Sequence, residues 1–555
     1  MRRNLAIAAL AAASMAVWPI AALAATGDAQ ANNPQVAGDA SSNTTALFPT
    51  NKQNEPTIAV DPTNPRRLIA GSNDEQEQPP CGPGPVRGPG APGSDCSFYP
   101  GVGTSGIYLS SDGGQSWTNQ GLLDDQASWA SAGVVSDGDP VITFGPKPDG
   151  HGGFSYTSGA RAYYASLATI TSQKGFEYIV VSYSDDDGVT WSAPVVATTR
   201  TNAAQFNDKN WITVDRNPAS PYFGRAYLSW TAFRSATATG YGNEPVMVSI
   251  STNGGVSFGA PKQLSPAANN GTGNGRQGSS STVGPDGTAY VAFEQASSQV
   301  VAVSRDGGAS WTRPIPVGRV TDIQDPIPGA NFRTDSFPVI AADPRAGSKT
   351  VYAAWATLTS AGGRMVVTRS ADRGNTWSTP TTVSSSGQGY AFFPGLDVAS
   401  TGRVDLAWQG LKTVNPSTFG TGNASIDAYY ASLPVGGTWT APRKVSTASS
   451  DPAASAQNNL QRQFWGDYNT LVSGASGAWF IYTDSRTGAG CPAVDAYQTY
   501  LSDNGLAQPD EPDGAKDTGK SATGSSGAVV AKPSPPTDCP SQFGNTDVYV
   551  STIQP

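Results

Sequence analysis

Short runs of alternating or β-branched residues, bounded by Gly, Pro, Asn and Asp, recur along the whole chain, and each run reads as a strand. Phe176-Glu-Tyr-Ile-Val-Val-Ser-Tyr183 and Arg364-Met-Val-Val-Thr-Arg369 are clear examples. Two further signals lie upstream of such runs. One is apolar and often ends in Asp: Pro56-Thr-Ile-Ala-Val-Asp61, Trp211-Ile-Thr-Val-Asp215, Pro338-Val-Ile-Ala-Ala-Asp343. The other is rich in aromatic residues: Arg225-Ala-Tyr-Leu-Ser-Trp230, Thr350-Val-Tyr-Ala-Ala-Trp355, Arg403-Val-Asp-Leu-Ala-Trp408. With the stretch that opens on Ser/Thr-x-Pro further on, each unit holds four strands.

Between the third and fourth strand signals an octapeptide returns, Ser-x-Asp-x-Gly-x-x-Trp. It is intact at Ser110–Trp117, Ser184–Trp191, Ser304–Trp311 and Ser370–Trp377, slightly worn at Ser251–Phe258, and decayed at Ser432–Trp439. Its place predicts a hairpin turn: the Asp accepts hydrogen bonds from turn amides, the Gly supplies a positive φ, and the aromatic ring plugs the turn from below. These Asp residues are therefore structural. Copies spaced 53 to 74 residues apart leave room for loops but for no second domain, and a repeat of one supersecondary unit with four strands is the blade of an all-β propeller. A boxless unit follows the last copy, with Asp467–Val472, Ala478–Tyr482 and Asp547–Ser551 as its strands. Its missing strand is expected from the N-terminal segment 25–48, near Asn33 to Phe48, which brings the count to seven blades, with six plus a cap as the alternative. The propeller then spans 49–555, with loop insertions at 76–104 and 502–536.

The octapeptide resembles the Asp-box, or BNR, repeat, and the chain is similar to the sialidase-like β-propeller superfamily over nearly its whole length. That resemblance implies a glycan-acting protein. Sialidases of the superfamily hold the substrate carboxylate with three Arg residues, use an Asp as acid/base and attack with a Tyr activated by a Glu. Tyr468, opening the last blade, stands where the nucleophile would be, and Glu294 where its partner would be. Arg234, Arg276, Arg333 and Arg486 are the candidate carboxylate ligands. The family's Arg-Ile-Pro motif is missing.

Composition narrows the setting. Met1-Arg-Arg3, an apolar run to Leu23 and Ala22-Leu-Ala24 read as a signal peptide over 1–24, so secretion, extracellular or periplasmic, is expected. Removing Arg2 and Arg3 takes the formal charge from −9 to −11, which argues against nucleic acid and anionic membranes as partners. No other stretch is apolar enough to span a bilayer. Four cysteines suit export, with Cys81–Cys96 and Cys491–Cys539 the expected disulfides. His151 is the single histidine, which leaves no Ser-His-Asp triad. A monomer is expected, with no cofactor beyond an open question of calcium.

Propeller geometry locates the chemistry. Residues before the innermost strands converge on the axis, on the face opposite the octapeptide turns. They include Glu55, Asp139, Asp208, Arg276, Arg333, Asp335, Phe393, Trp465, Asp467 and Tyr468; ends of second strands add Asp74, Arg234, Glu294 and Arg486. Carboxylates, guanidinium groups and aromatic faces suit sugar binding, and paired carboxylates suit glycoside hydrolysis. In that reading Tyr468 is nucleophile or substrate contact, Glu294 its base, and Asp139 or Asp74 the acid. A non-catalytic glycan- or protein-binding propeller and a lyase acting on acidic polysaccharide are the alternatives. Charge at the mouth discriminates: converging arginines favour sialate or uronate, and a net acidic mouth disfavours both.

Overall fold

The computed structural model describes residues 27–36, 41, 50–78, 103–170, 177–198, 205–237, 240–266, 276–455, 463–496 and 539–555. The signal peptide, the Cys81–Cys96 pair and nearly all of both loop insertions lie outside these residues. What is described is almost entirely strand, arranged as seven four-stranded antiparallel blades.

The first blade runs Gln53–Val60, Leu68–Asp74, Gly106–Ser110 and Thr118–Leu122, from axis to rim. The second is Val134–Pro148, Phe154–Ile170, Glu177–Ser184 and Val195–Val196. The third, Gln205–Val214, Ala226–Thr237, Val246–Ser251 and Lys262–Gln263, carries an extra strand, Gly240–Asn243, on its second. Blades four to six begin at Arg276–Val283, Val339–Ala342 and Tyr390–Val398. In the seventh, Thr470–Ser473, Ala478–Asp484 and Asp547–Ile553 are completed by Gly27–Gln30, which pairs antiparallel with the last of them. The closing strand thus lies upstream of the Asn33–Phe48 stretch to which the sequence pointed. Its pairing joins the two ends of the chain and completes the seventh blade.

The octapeptides form the turns between third and outer strands. At the second blade, Asp186 Oδ1 accepts from Ser184 Oγ (2.8 Å) and from the Thr190 amide (2.9 Å), and Oδ2 accepts from Thr190 Oγ1 (2.6 Å). Gly188 has φ +89°, and a Cβ there would lie 2.7 Å from Leu109 Cδ2 of the preceding blade. Only glycine suits both the angle and the contact. The tryptophans sit on the same seams: Trp311 of the fourth blade meets Tyr227 of the third, edge to face, at 6.4 Å. Each seam holds one apolar cluster among the described residues, seven in all. Among the described residues no helix is long and apolar enough to cross a membrane.

Candidate functional site

Where the innermost strands approach the axis, five of them skip a residue in their pairing with the second strand. The skipped positions have left-handed backbone: Glu55 (φ 52°), Asp139 (50°), Lys209 (53°), Gly278 (70°) and Phe393 (45°). A bulge bends its strand and re-aims the side chains beside it. For a residue with a Cβ the left-handed region costs about 1–2 kcal/mol, and such strain gathers where packing over-determines it, often at functional sites. Four strained non-glycine residues at equivalent positions put Glu55, Asp139 and Lys209 around one axis. Gly466 (φ +85°) completes the seam, since a Cβ there would come within 2.8 Å of Glu55 Cγ.

The centre is a dense charge cluster. Glu55 is buried; it accepts the Asp467 amide on Oε1 (3.0 Å) and Asn73 Nδ2 on Oε2 (3.0 Å). Its carboxyl faces that of Asp139, which in turn faces that of Asp208. Burial, and then the facing Glu55 charge, push Asp139 well above the ordinary carboxylate range. Burial and the Asp139 charge do the same to Asp208. Lys209 lies among these acids, its Nζ 3.6 Å from the centre of the Tyr468 ring, and burial draws its ammonium downward against their attraction. Arg333 forks onto Asp467, Nε to Oδ1 at 2.8 Å and Nη2 to Oδ2 at 2.6 Å. A cavity of about 20 Å³ lies among Lys209, Trp211, Asp335, Phe337, Asp467 and Tyr468. One water takes roughly 10–15 Å³ on this measure, so the cavity holds a water or two; a sugar ring would sit above it, on the half-exposed Asp139, Asp208, Arg333, Asp335 and Asp467.

Of the residues expected at the mouth, Glu55, Asp139, Asp208, Arg333, Asp335, Asp467 and Tyr468 come together. Tyr468, though central, and the remaining residues do not take the expected roles, for separate physical reasons. Tyr468 itself is buried and its hydroxyl donates to the Pro140 carbonyl (3.1 Å), while burial and the Asp139 and Glu55 charges push its phenol well up, the opposite of an activated nucleophile. Glu294 contacts Gln299, Asp322 and Asp335. Asp74 is enclosed, bonded to Tyr108 and Gln53. Trp465 is interior, stacked on Phe332 at 5.7 Å, and Phe393, edge-on to Phe392 at 5.0 Å, lines the small cavity but is too buried to offer a sugar a face. Arg486 pairs with Asp28 (2.8 Å) and Asp484 (2.6 Å), pinning the closing strand. Arg276 lies by Glu244, and Arg234 Nη2 reaches Met247 Sδ at 3.6 Å.

Sequence reasoning undervalued Lys209 and missed Asp322. Asp322 lies on a loop whose path no local signal shows. Asp322, Glu294 and Asp335 form a second group, each offering a carboxylate oxygen within 4.8 Å of the others. Burial, then the Asp335 and Asp322 charges, raise Glu294 to about 9, and burial raises Asp335 to about 7. Three such oxygens are the donor type that a hard cation such as calcium takes. Cys491 and Cys539 are joined by a disulfide.

No protein-family model and no curated protein matches the chain. Similar solved structures include the α-L-arabinofuranosidase Arb93A of Fusarium graminearum, at 12% identity and a TM-score of 0.39 over 91% of this chain and 95% of that one. Others are a leech intramolecular trans-sialidase (14%, 0.37, 68% and 67%) and an ulvan lyase (10%, 0.37, 58% and 74%). At these values the comparisons carry no statement about activity, and the site is read from its own residues.

Proposed function

We propose that the protein is a glycoside hydrolase acting on glycans at the axial mouth, with Asp139 as the proton donor. The observation that carries this reading is the facing carboxyl pair Glu55–Asp139 in a desolvated cluster. Two acids that close cannot both ionise; Glu55, which accepts the Asp467 amide and Asn73 Nδ2, holds the charge, and Asp139 retains the proton. A general acid in a glycosidase needs that property at neutral pH. Asp467, ion-paired with Arg333, supplies the anionic carboxylate that would act on the opposite side of the sugar, as nucleophile or base. Lys209 and Tyr468 hold the acids in place from beneath. The resemblance to Asp-box propellers and the expected export agree with a glycan substrate.

The test is turnover of a polysaccharide and aryl-glycoside panel by the mature protein and by Asp139→Asn. A general acid contributes about 10²–10⁴-fold, so kcat should fall by at least about 100-fold. Because the acid must be protonated, the wild-type rate should decline as pH rises through the raised Asp139 pKa. Undiminished turnover by the variant would remove Asp139 from the mechanism.

A further inference from the structure

We infer that the glycan taken at this mouth is uncharged, and that Asp467 excludes acidic sugars by occupying the one guanidinium that, among the described residues, a substrate carboxylate could use. This deepens the hydrolase reading and rests on it for the location of the site.

Among the four candidate arginines only Arg333 reaches the central cluster. Its Nε and Nη2 are both engaged by Asp467, and its guanidinium lies 4.8 Å from the centre of the Phe464 ring, which fixes its plane. A bidentate fork of this kind is the arrangement by which arginine grips a carboxylate; here the carboxylate is the protein's own. Lys209 is the other cation. It is 4% exposed, covered by the Tyr468, Trp211 and Phe337 rings at 3.6, 5.4 and 5.9 Å, and attracted by Asp139, Glu55, Asp467 and Asp208. Both positive groups of the cluster are therefore satisfied internally. What faces outward is mainly carboxyl: Asp139, Asp208 and Asp335. Among the described residues a sialate or uronate placed there would find no unengaged cation, and to reach Arg333 it would have to displace a formed ion pair.

Sugar hydroxyls meet no such obstacle. A protonated carboxyl both donates and accepts, and an ionised one accepts. The half-exposed faces of Trp211 and Phe337 add apolar surface beside these groups. The mouth thus suits polyhydroxylated, neutral rings of the arabinan or glucan type.

Equilibrium binding separates this inference from the hydrolase reading. The mature protein is titrated calorimetrically with arabino-oligosaccharides and gluco-oligosaccharides, and in parallel with sialyllactose and methyl glucuronide. Neutral ligands should bind at least about tenfold more tightly, since one charge-assisted contact is worth roughly 10- to 100-fold. Asp467→Asn keeps the side-chain shape and frees the Arg333 fork, so the acidic probes should gain at least about tenfold. Wild-type protein that binds the acidic probes as tightly as the neutral ones, or binds no neutral glycan, overturns the inference. So does an Asp467→Asn variant that folds and gains nothing. Neutral binding without turnover would leave the inference standing and sink the hydrolase reading.

Discussion

Replacing Asp74 by asparagine tests whether a carboxylate at the end of a second strand is structural or catalytic. Asp74 is fully enclosed, accepting from Gln53 Nε2 at 2.8 Å and from the Tyr108 hydroxyl at 2.7 Å. Burial outweighs these hydrogen bonds and lifts its pKa from 3.8 to about 6. Over that interval the folded chain keeps a proton that the unfolded chain has released. The group's contribution to stability is therefore full below about pH 4, falls as pH rises, and levels above about pH 6. At about 1.4 kcal/mol per pH unit the whole change is about 3 kcal/mol. Asparagine removes the dependence. It keeps an acceptor for Gln53 and turns an amide toward Tyr108, whose hydroxyl still has Ser72 Oγ at 2.8 Å. One hydrogen bond of about 1 kcal/mol is at stake, which leaves a net gain of about 2 kcal/mol at pH 7 and a loss of about 1 kcal/mol at pH 4. Denaturant unfolding at both pH values, wild type beside variant, measures the crossing. Equal pH slopes, or a variant less stable at pH 7, would refute the desolvation argument. Turnover should be unchanged, because no atom of Asp74 reaches the mouth; a variant of full stability and lost activity would move the proton donor from Asp139 to Asp74.

Trp465→Ala should cost about 3–5 kcal/mol of unfolding free energy, the range for deleting a fully buried aromatic side chain, and should remove one of the two donors on Gln409 Oε1, Trp465 Nε1 at 3.0 Å, while Asn469 Nδ2 remains; denaturant titration reads the loss, and a cost under about 1 kcal/mol would place Trp465 outside the packed seam. Replacing Cys491 and Cys539 by serine opens a link between residues 48 apart in sequence, which on chain-entropy grounds lowers stability by up to about 4 kcal/mol, measured as the drop in unfolding free energy against untreated wild type.

Blade architecture was legible because its signals are local. A Ser, an Asp and a Gly at fixed spacing close a turn with bonds inside eight residues, as Ser184, Asp186, Gly188 and Thr190 do. Two strand signals before each turn then place the innermost strand, and with it the axial face. Glu55, Asp139, Asp208 and Asp467 follow from that placement alone. The roles of individual side chains were less legible. Trp465 and Phe393 lie at axial positions by sequence, yet the bulges and neighbouring rings turn them inward. Arg486 ends a second strand like any other, but the closing strand brings Asp28 against it from the far end of the chain.

Sequence by itself determined the repeat, its turns, the number of strands per unit and the face on which chemistry gathers, since each depends on residues adjacent in the chain. Tertiary structure alone decided which charges meet. Glu55 faces Asp467, Asp139 faces Lys209 and Arg333 forks onto Asp467 across 412, 70 and 134 residues respectively, and such pairings arise only when the ring closes. Burial in that closed ring then sets the electrostatics, because removing water is what raises the Asp139 carboxyl above its ordinary range.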